Sequence, residues 1–235
     1  MKLHLIVMFI VVIALAACTT KEETRPVLVV PDVAEPIVAE APQAEEETQP
    51  AEEFQIDEQI QNIIELHKKI TSYTYIDAST FNTYSIKGDK IKVVLKKFDG
   101  KFEDAYDTIY LDTQTKTAYA TCMNNRICAS KKKEYWSVSY NSYYPTLPES
   151  YLAEISTGKV IGSETCENMK CFIIEYQKDS KTYRMLVKDT YGLPFKISVK
   201  NSDGAFDPVI MFTDQAYDHL KDSDVTLGSL YVLRQ

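Results

Sequence analysis

From Ser79 to Asp214 the chain alternates apolar and polar residues in short runs separated by turn signals, and a period of two held that long admits few architectures. The stretch 90–98 sets Ile91, Val93 and Leu95 on one face and Lys90, Lys92 and Lys96 on the other, the pattern of a strand with one wet side. Gly88-Asp89 before it and Asp99-Gly100 after it are hairpin turn signals. Further runs cover 106–112, where Ile109 and Leu111 alternate with Thr108 and Tyr110, then 117–122, 159–165, 170–177, 182–188, 195–201 and 209–214. Three of them place Phe172, Ile174 and Tyr176, then Tyr183, Met185 and Val187, then Phe195, Ile197 and Val199 at alternate positions. Short strands joined by short turns describe an antiparallel meander rather than βαβ units.

Two stretches break the alternation. Ile56, Ile60, Ile63, Ile64, His67 and Ile70 recur at steps of three and four, which gives one apolar face to a helix, with Asp57 a candidate N-cap. Between 131 and 155, Tyr135, Trp136, Tyr140, Tyr143 and Tyr144 crowd together before Pro145 and Pro148, and 149–155 fits a short helix. That stretch is expected to leave the sheet as a covering lid or a packed segment. The tail 227–233 is apolar and is expected to pack back on the sheet.

The chain opens with Lys2 and an uninterrupted apolar run from Leu5 to Leu15, which has the layout of a secretory signal peptide over residues 1–17. The run is shorter than the ~20 apolar residues of a spanning helix. Its end, Leu15-Ala16-Ala17-Cys18, resembles the lipobox of prokaryotic lipoproteins, which implies lipidation of Cys18 and a membrane anchor outside the cytosol. Two acyl chains on one cysteine suffice for stable anchoring. Residues 19–53 hold five prolines and ten acids against Lys21 and Arg25, which accounts for the whole net charge of -8. Such a segment buries too little apolar surface to offset its ordering entropy, so it is expected to be an extended, disordered tether from Cys18 to a domain at 54–235. That domain is nearly neutral overall, which argues against nucleic acid as a partner.

With Cys18 assigned to the anchor, Cys122, Cys128, Cys166 and Cys171 remain, and in an exported domain they read as two disulfides. Three pairings are possible, and the close spacings favour Cys122 with Cys128 and Cys166 with Cys171. The spacings do not match the tight knuckles of a structural zinc site.

Enzymatic signatures are sparse. No G-x-S-x-G, H-E-x-x-H, Walker or G-x-G-x-x-G pattern occurs, so neither catalysis nor a cofactor is expected. His67 sits on the apolar helix face and reads as a packing residue. His219 lies among Asp214, Asp218, Asp222 and Asp224, but without the ligand spacing and glycine of a calcium loop that cluster reads as a solvated acidic end rather than a metal site.

The stretch from Tyr183 to Ile197 (Tyr-Arg-Met-Leu-Val-Lys-Asp-Thr-Tyr-Gly-Leu-Pro-Phe-Lys-Ile) is similar to a strand, turn and strand of the LolA/LolB-like lipoprotein-carrier superfamily, in which a Gly-Leu-Pro turn links neighbouring strands. The resemblance spans about residues 57–225 and implies a half-barrel closed by helices that hold acyl chains or a partner's hydrophobic segment. The paired cysteines and the tyrosine-rich stretch depart from that family's general pattern. The expected fold is α+β, a strongly curved meander of about seven to nine strands covered by the N-terminal helix and the helical stretch near 149–155. Its apolar face exceeds what one helix covers, so the excess must meet another helix, a lid, a partner or a ligand. The candidate lining is Ile91, Val93, Leu95, Ile109, Leu111, Phe172, Ile174, Met185 and Val187, with Trp136 and Tyr140 at the mouth. The expected function is a monomeric, membrane-anchored, non-catalytic lipoprotein that binds lipid or lipoprotein acyl chains. The alternative is an envelope interaction protein that uses the same fold as a ligand-free scaffold.

Overall fold

The computed structural model describes residues 56–101, 105–124, 128 and 134–234. The signal segment, Cys18 and the tether lie outside the described residues, as do Phe54 and the first lysines of the tyrosine-rich stretch.

The first element of the described residues is α1 (Glu58–His67), whose first turn is closed by the Asp57 carboxylate accepting from the Gln59 amide at 2.9 Å. It then forms β1 (Ser72–Asp77), β2 (Thr83–Lys87), β3 (Lys90–Asp99), β4 (Tyr106–Asp112), β5 (Thr117–Thr121) and β6 (Glu134–Ser137). A single helical turn, α2 (Tyr140–Tyr143), and a 3-10 helix, Pro148–Glu154, follow. The second run comprises β7 (Gly158–Cys166), β8 (Met169–Lys178), β9 (Lys181–Lys188), β10 (Pro194–Lys200) and β11 (Phe206–Tyr217). A short α3 (Asp222–Val225) and a two-residue β12 (Val232–Leu233) complete the chain.

All 12 strands among the described residues belong to one open, curved sheet in the order β12-β6-β5-β4-β3-β2-β1-β11-β10-β9-β8-β7. Two antiparallel meanders, β1 to β6 and β7 to β11, meet where β1 pairs with the second half of β11. Only the β12–β6 pair is parallel. The fold is broadly α+β, and the strand count exceeds the seven to nine expected. The added strands are short, and their buried positions are largely tyrosines: Tyr73 and Tyr75 on β1 and Tyr84 on β2 carry the inward face that aliphatic residues carry elsewhere. A pattern that scores tyrosine as half-polar does not see them. The stretch around Trp136 does not leave the sheet at once, because Trp136 pairs with Ala120 in β6 before the chain turns away at α2.

The inner face carries two adjoining cores. Over the first meander Tyr73, Tyr75, Tyr84, Ile86, Ile91, Val93, Ile109 and Leu111 pack together, and over the second Ile174, Tyr176, Met185, Val187 and Ile197 pack against Ile60 and Ile63 of α1 and Leu152 and Ile155 beside the 3-10 helix. Tyr151 and Ile210 touch both. Phe195 and Ile197, expected on one face, are split. Pro194 pairs with Val187 and Lys196 with Leu186, so Phe195 is an extra residue, and the bulge sends it to the outer face beside Leu186 and the Cys166–Cys171 pair. Gly192, at φ +65°, brings the Gly-Leu-Pro turn so close to α1 that a Cβ there would lie 2.3 Å from the Ile63 carbonyl oxygen.

Both disulfides follow the short spacings: Cys122 is bonded to Cys128 and Cys166 to Cys171, with Cα separations of 5.5 and 5.9 Å. The second closes a loop whose Glu167 accepts at 2.8 Å from the buried Lys188 ammonium and at 2.8 Å from the Asp214 amide. The tail does return to the sheet, through α3 under β2 and β3 and the β12–β6 pair, yet Leu230, Val232 and Leu233 stay 73, 66 and 50% exposed. No helix among the described residues is long and apolar enough to cross a membrane.

Candidate functional site

Over the first meander the inner face is only partly covered. Past α2, Pro145 and Pro148 forbid a continuing helix, so the chain from Tyr140 to Leu147 crosses as a strap. Beneath it β2 and β3 contribute Tyr84, Val93, Leu95 and Phe98, and together with Ser142, Tyr143, Tyr144 and Pro145 they border a cleft of about 570 Å³. A second cleft of about 400 Å³ lies between β1, the turn at Ala78-Ser79, the 3-10 helix and β11, bordered by Tyr75, Asp77, Tyr151, Ile210 and Phe212. Ser79, Tyr84 and Pro145 border both, so the two clefts adjoin, and together they are called the groove below.

The strap is held by hydrogen bonds from tyrosine hydroxyls. Tyr143 donates to Asp99 Oδ2 at 2.5 Å and is also hydrogen-bonded to the Tyr106 hydroxyl. The Tyr143 bond, followed by the Gly100 amide, holds the Asp99 carboxyl below the usual carboxylate range. Desolvation and then Asp99 push the Tyr143 phenol in the opposite direction, well above its ordinary value, so it stays a donor. Trp136 packs edge-on to Tyr106 at 5.7 Å, and Tyr140 stacks on Tyr144 at 5.2 Å. On the other side, Tyr73 donates at 2.5 Å to Glu149 and ties the 3-10 helix to β1.

The residues expected to line a cavity fall into two groups. Ile91, Ile109 and Leu111 of the first meander, and Ile174, Met185 and Val187 of the second, are buried in the packed cores. Val93 and Leu95 belong to the first core and also border the groove. Phe172 is partly buried against the second core, while Trp136 and Tyr140 pack on the first without bordering either cleft. The groove's aromatic lining is five tyrosines, Tyr75, Tyr84, Tyr143, Tyr144 and Tyr151, with Phe98 and Phe212, set among polar residues such as Asp77, Ser79, Asn82 and Asp99. The alternate positions Tyr73, Tyr75 and Tyr84 with Ile86 were the signal available for them.

The acidic end is dispersed into separate structural tasks. Asp218 accepts from the Thr71 amide at 2.8 Å and from its hydroxyl at 2.9 Å, Asp222 pairs with Lys87 at 3.0 Å, and Asp224 accepts from the Lys221 amide at 2.7 Å. Asp214 occupies the positive-φ position where β11 bulges against β1. His67 closes the last turn of α1, its Nδ1 against the Ile64 carbonyl. Among the described residues no group of three or more His, Cys, Asp and Glu side chains is placed to hold a metal ion.

No protein-family model matches the chain, and no curated protein matches it. Solved structures similar to it include the Pseudomonas aeruginosa MucA/MucB complex, at 11% identity and TM-score 0.40, covering 73% of this chain and 60% of that one. This chain therefore spans about three fifths of that protein's length. LprF from Mycobacterium bovis is similar at 10% identity and TM-score 0.38, with 68% of this chain and 94% of that chain covered. A LolA superfamily protein from Nitrosomonas europaea is similar at 10% identity and TM-score 0.25, with 72% and 97% covered.

Proposed function

We propose that this chain is an extracytoplasmic lipoprotein, anchored through lipidated Cys18, that holds the acyl chain of a lipid or lipoprotein in the groove beneath the strap and does so without covalent chemistry. The observation that supports the reading is the groove itself, two adjoining clefts of about 570 and 400 Å³ whose lining includes Val93, Leu95, Phe98, Phe212 and tyrosine rings. Volumes of this order are those of small-molecule sites. The apolar patches these residues leave uncovered, set among Asp77, Ser79, Asn82 and Asp99, suit an amphiphilic occupant, because burying its apolar part removes surface from water on both sides. A monomer fixed to its own membrane would receive or present such a ligand within the reach of the tether rather than shuttle freely. Native mass spectrometry of the chain from residue 19 onward, which keeps every described residue, tests the reading together with a Nile red titration. Copurified acyl ligand and dye binding are expected, and loss of both would remove the proposal. Intact mass of the membrane-extracted protein tests the anchor separately: a Cys18→Ser variant should lack the diacylglyceryl increment.

A second reading rests on the exposed Leu230, Val232 and Leu233 at the β12 edge of the sheet, which would suit an envelope protein that binds a partner by its edge. Removing residues 230–235 would then abolish partner capture and leave Nile red binding unchanged.

A further inference from the structure

The floor of the smaller cleft contains a polar group with nothing to bind. Tyr75 is 1% exposed, stacked on Tyr84 at 4.9 Å and set edge-on to Phe212 at 5.2 Å, and its hydroxyl has no hydrogen-bond partner. Two neighbouring hydroxyls have partners of their own: Tyr73 bonds Glu149, and Ser79 bonds Asp77 at 2.7 Å. A buried donor without an acceptor is costly and uncommon, so one that borders a cleft calls for a ligand atom. We infer, resting on the groove reading above, that the acyl ligand is a neutral ester or amide, with its carbonyl oxygen accepting from the Tyr75 hydroxyl and its chain lying toward Val93, Leu95 and Phe98.

The charge of the surroundings selects the neutral form. Among the described residues no Lys, Arg or His borders the Tyr75 cleft, whereas Asp77 does, and Lys97, the single cation among the described residues of the groove's lining, borders the adjoining cleft. A fatty-acid carboxylate placed at Tyr75 would stand beside Asp77 with no counter-charge, and its desolvation would go uncompensated. Burial first, then the Tyr84, Glu149 and Asp77 neighbours, hold the phenol far above its ordinary range, so it offers a proton at every physiological pH. The hydroxyl is itself covered, so a ligand reaches it only if the groups around it move; Tyr151, only partly buried on the 3-10 helix, borders the same cleft and is one of those neighbours.

The test uses the chain from residue 19 onward and a Tyr75→Phe variant, which removes only the unpaired oxygen and so is expected to fold. Displacement of Nile red would be measured at pH 8 with 1-monopalmitoylglycerol, palmitoylethanolamide and palmitate. The wild type should bind the ester, the amide or both about tenfold more tightly than palmitate, and Tyr75→Phe should lose roughly that factor for the neutral ligands while palmitate and the dye are unchanged. Preference for the ester alone points to glycerolipid as the source, and for the amide alone to an N-acylated protein; either supports the assignment. Equal neutral-ligand affinities in the two proteins, or a preference for palmitate, would overturn it, leaving the hydroxyl with at most a water. If no dye or lipid binds to either protein, it is the groove reading that falls, and this assignment with it.

Discussion

The two meanders use the same sheet and finish its inner face in different ways. Over the second, mainly aliphatic side chains from β8, β9 and β10 meet aliphatic side chains from α1 and the 3-10 helix, and the cleft bordered by Tyr176 at its rim is smaller, about 200 Å³. Over the first, the strands present tyrosines, and the cover is a one-turn helix with a proline-broken strap. The difference begins with the reach of α1. Ten residues make a helix about 15 Å long, roughly three strand spacings, and that length is spent on the second meander. Tyrosine then suits the uncovered half, since each ring fills space while its hydroxyl fastens a loop, as Tyr73 does with Glu149 and Tyr143 with Asp99. The sealed half stabilises the molecule, and the half left open has room for a ligand.

The sharpest way to break that contrast is a matched pair of truncations. Ile63→Ala in the sealed half should cost about 4 kcal/mol of unfolding free energy in urea, and Leu95→Ala beside the groove under about 1 kcal/mol, because only the first leaves an enclosed cavity. Equal costs would mean that both halves are packed alike. Gly192→Ala tests how α1 is held: the added Cβ meets the Ile63 carbonyl at 2.3 Å in a positive-φ backbone, so a loss of roughly 3 kcal/mol is expected by the same measurement. A neutral result would show that α1 can move off its turn. Glu167→Gln leaves the Lys188 ammonium, 1% exposed, without its anion; with Glu167 itself about one-third exposed, the expected loss is about 2 kcal/mol, and adding Lys188→Met should recover much of it.

The smallest effect on stability belongs to the strap. Tyr143→Phe should cost about 1 kcal/mol or less, yet speed amide exchange in residues 140–147, because the latch lies on the open half. Its pH dependence has a definite sign. Asp99 is depressed in the folded protein by the Tyr143 bond, so its contribution is fully present above the ordinary aspartate pKa of about 3.9 and is lost as pH falls through the lower folded value. Lower protection of the strap amides at acid pH, measured relative to their intrinsic exchange rates, is expected in the wild type, with a weaker dependence in Tyr143→Phe; identical profiles would detach Asp99 from the strap.

Much of this was legible in advance. The period-two runs located most of β3 to β5 and β7 to β11, the three-and-four spacing located α1 with its Asp57 cap, and short cysteine separations favoured the pairings found. These features are local: alternation, capping and small-loop closure depend on residues a few positions apart. What escaped depends on contacts between distant segments. The bulge at Phe195 reverses a face that strict alternation assigns wrongly, β6 and β12 exist only because neighbouring strands pair with them, and the aspartates near His219 look like a cluster until each takes its own partner.

By itself the sequence determined a meander with one long helix, paired cysteines and an inward stripe on nearly every strand, because each is encoded at the period of its own backbone. Only the tertiary structure decided which part of that stripe is sealed. Ile91 and Leu95 are equivalent in the pattern, yet one is fully buried and the other is only partly buried at the core's edge, where it borders a groove, since that outcome depends on where a helix of fixed length comes to rest and how a proline-broken strap crosses the remainder.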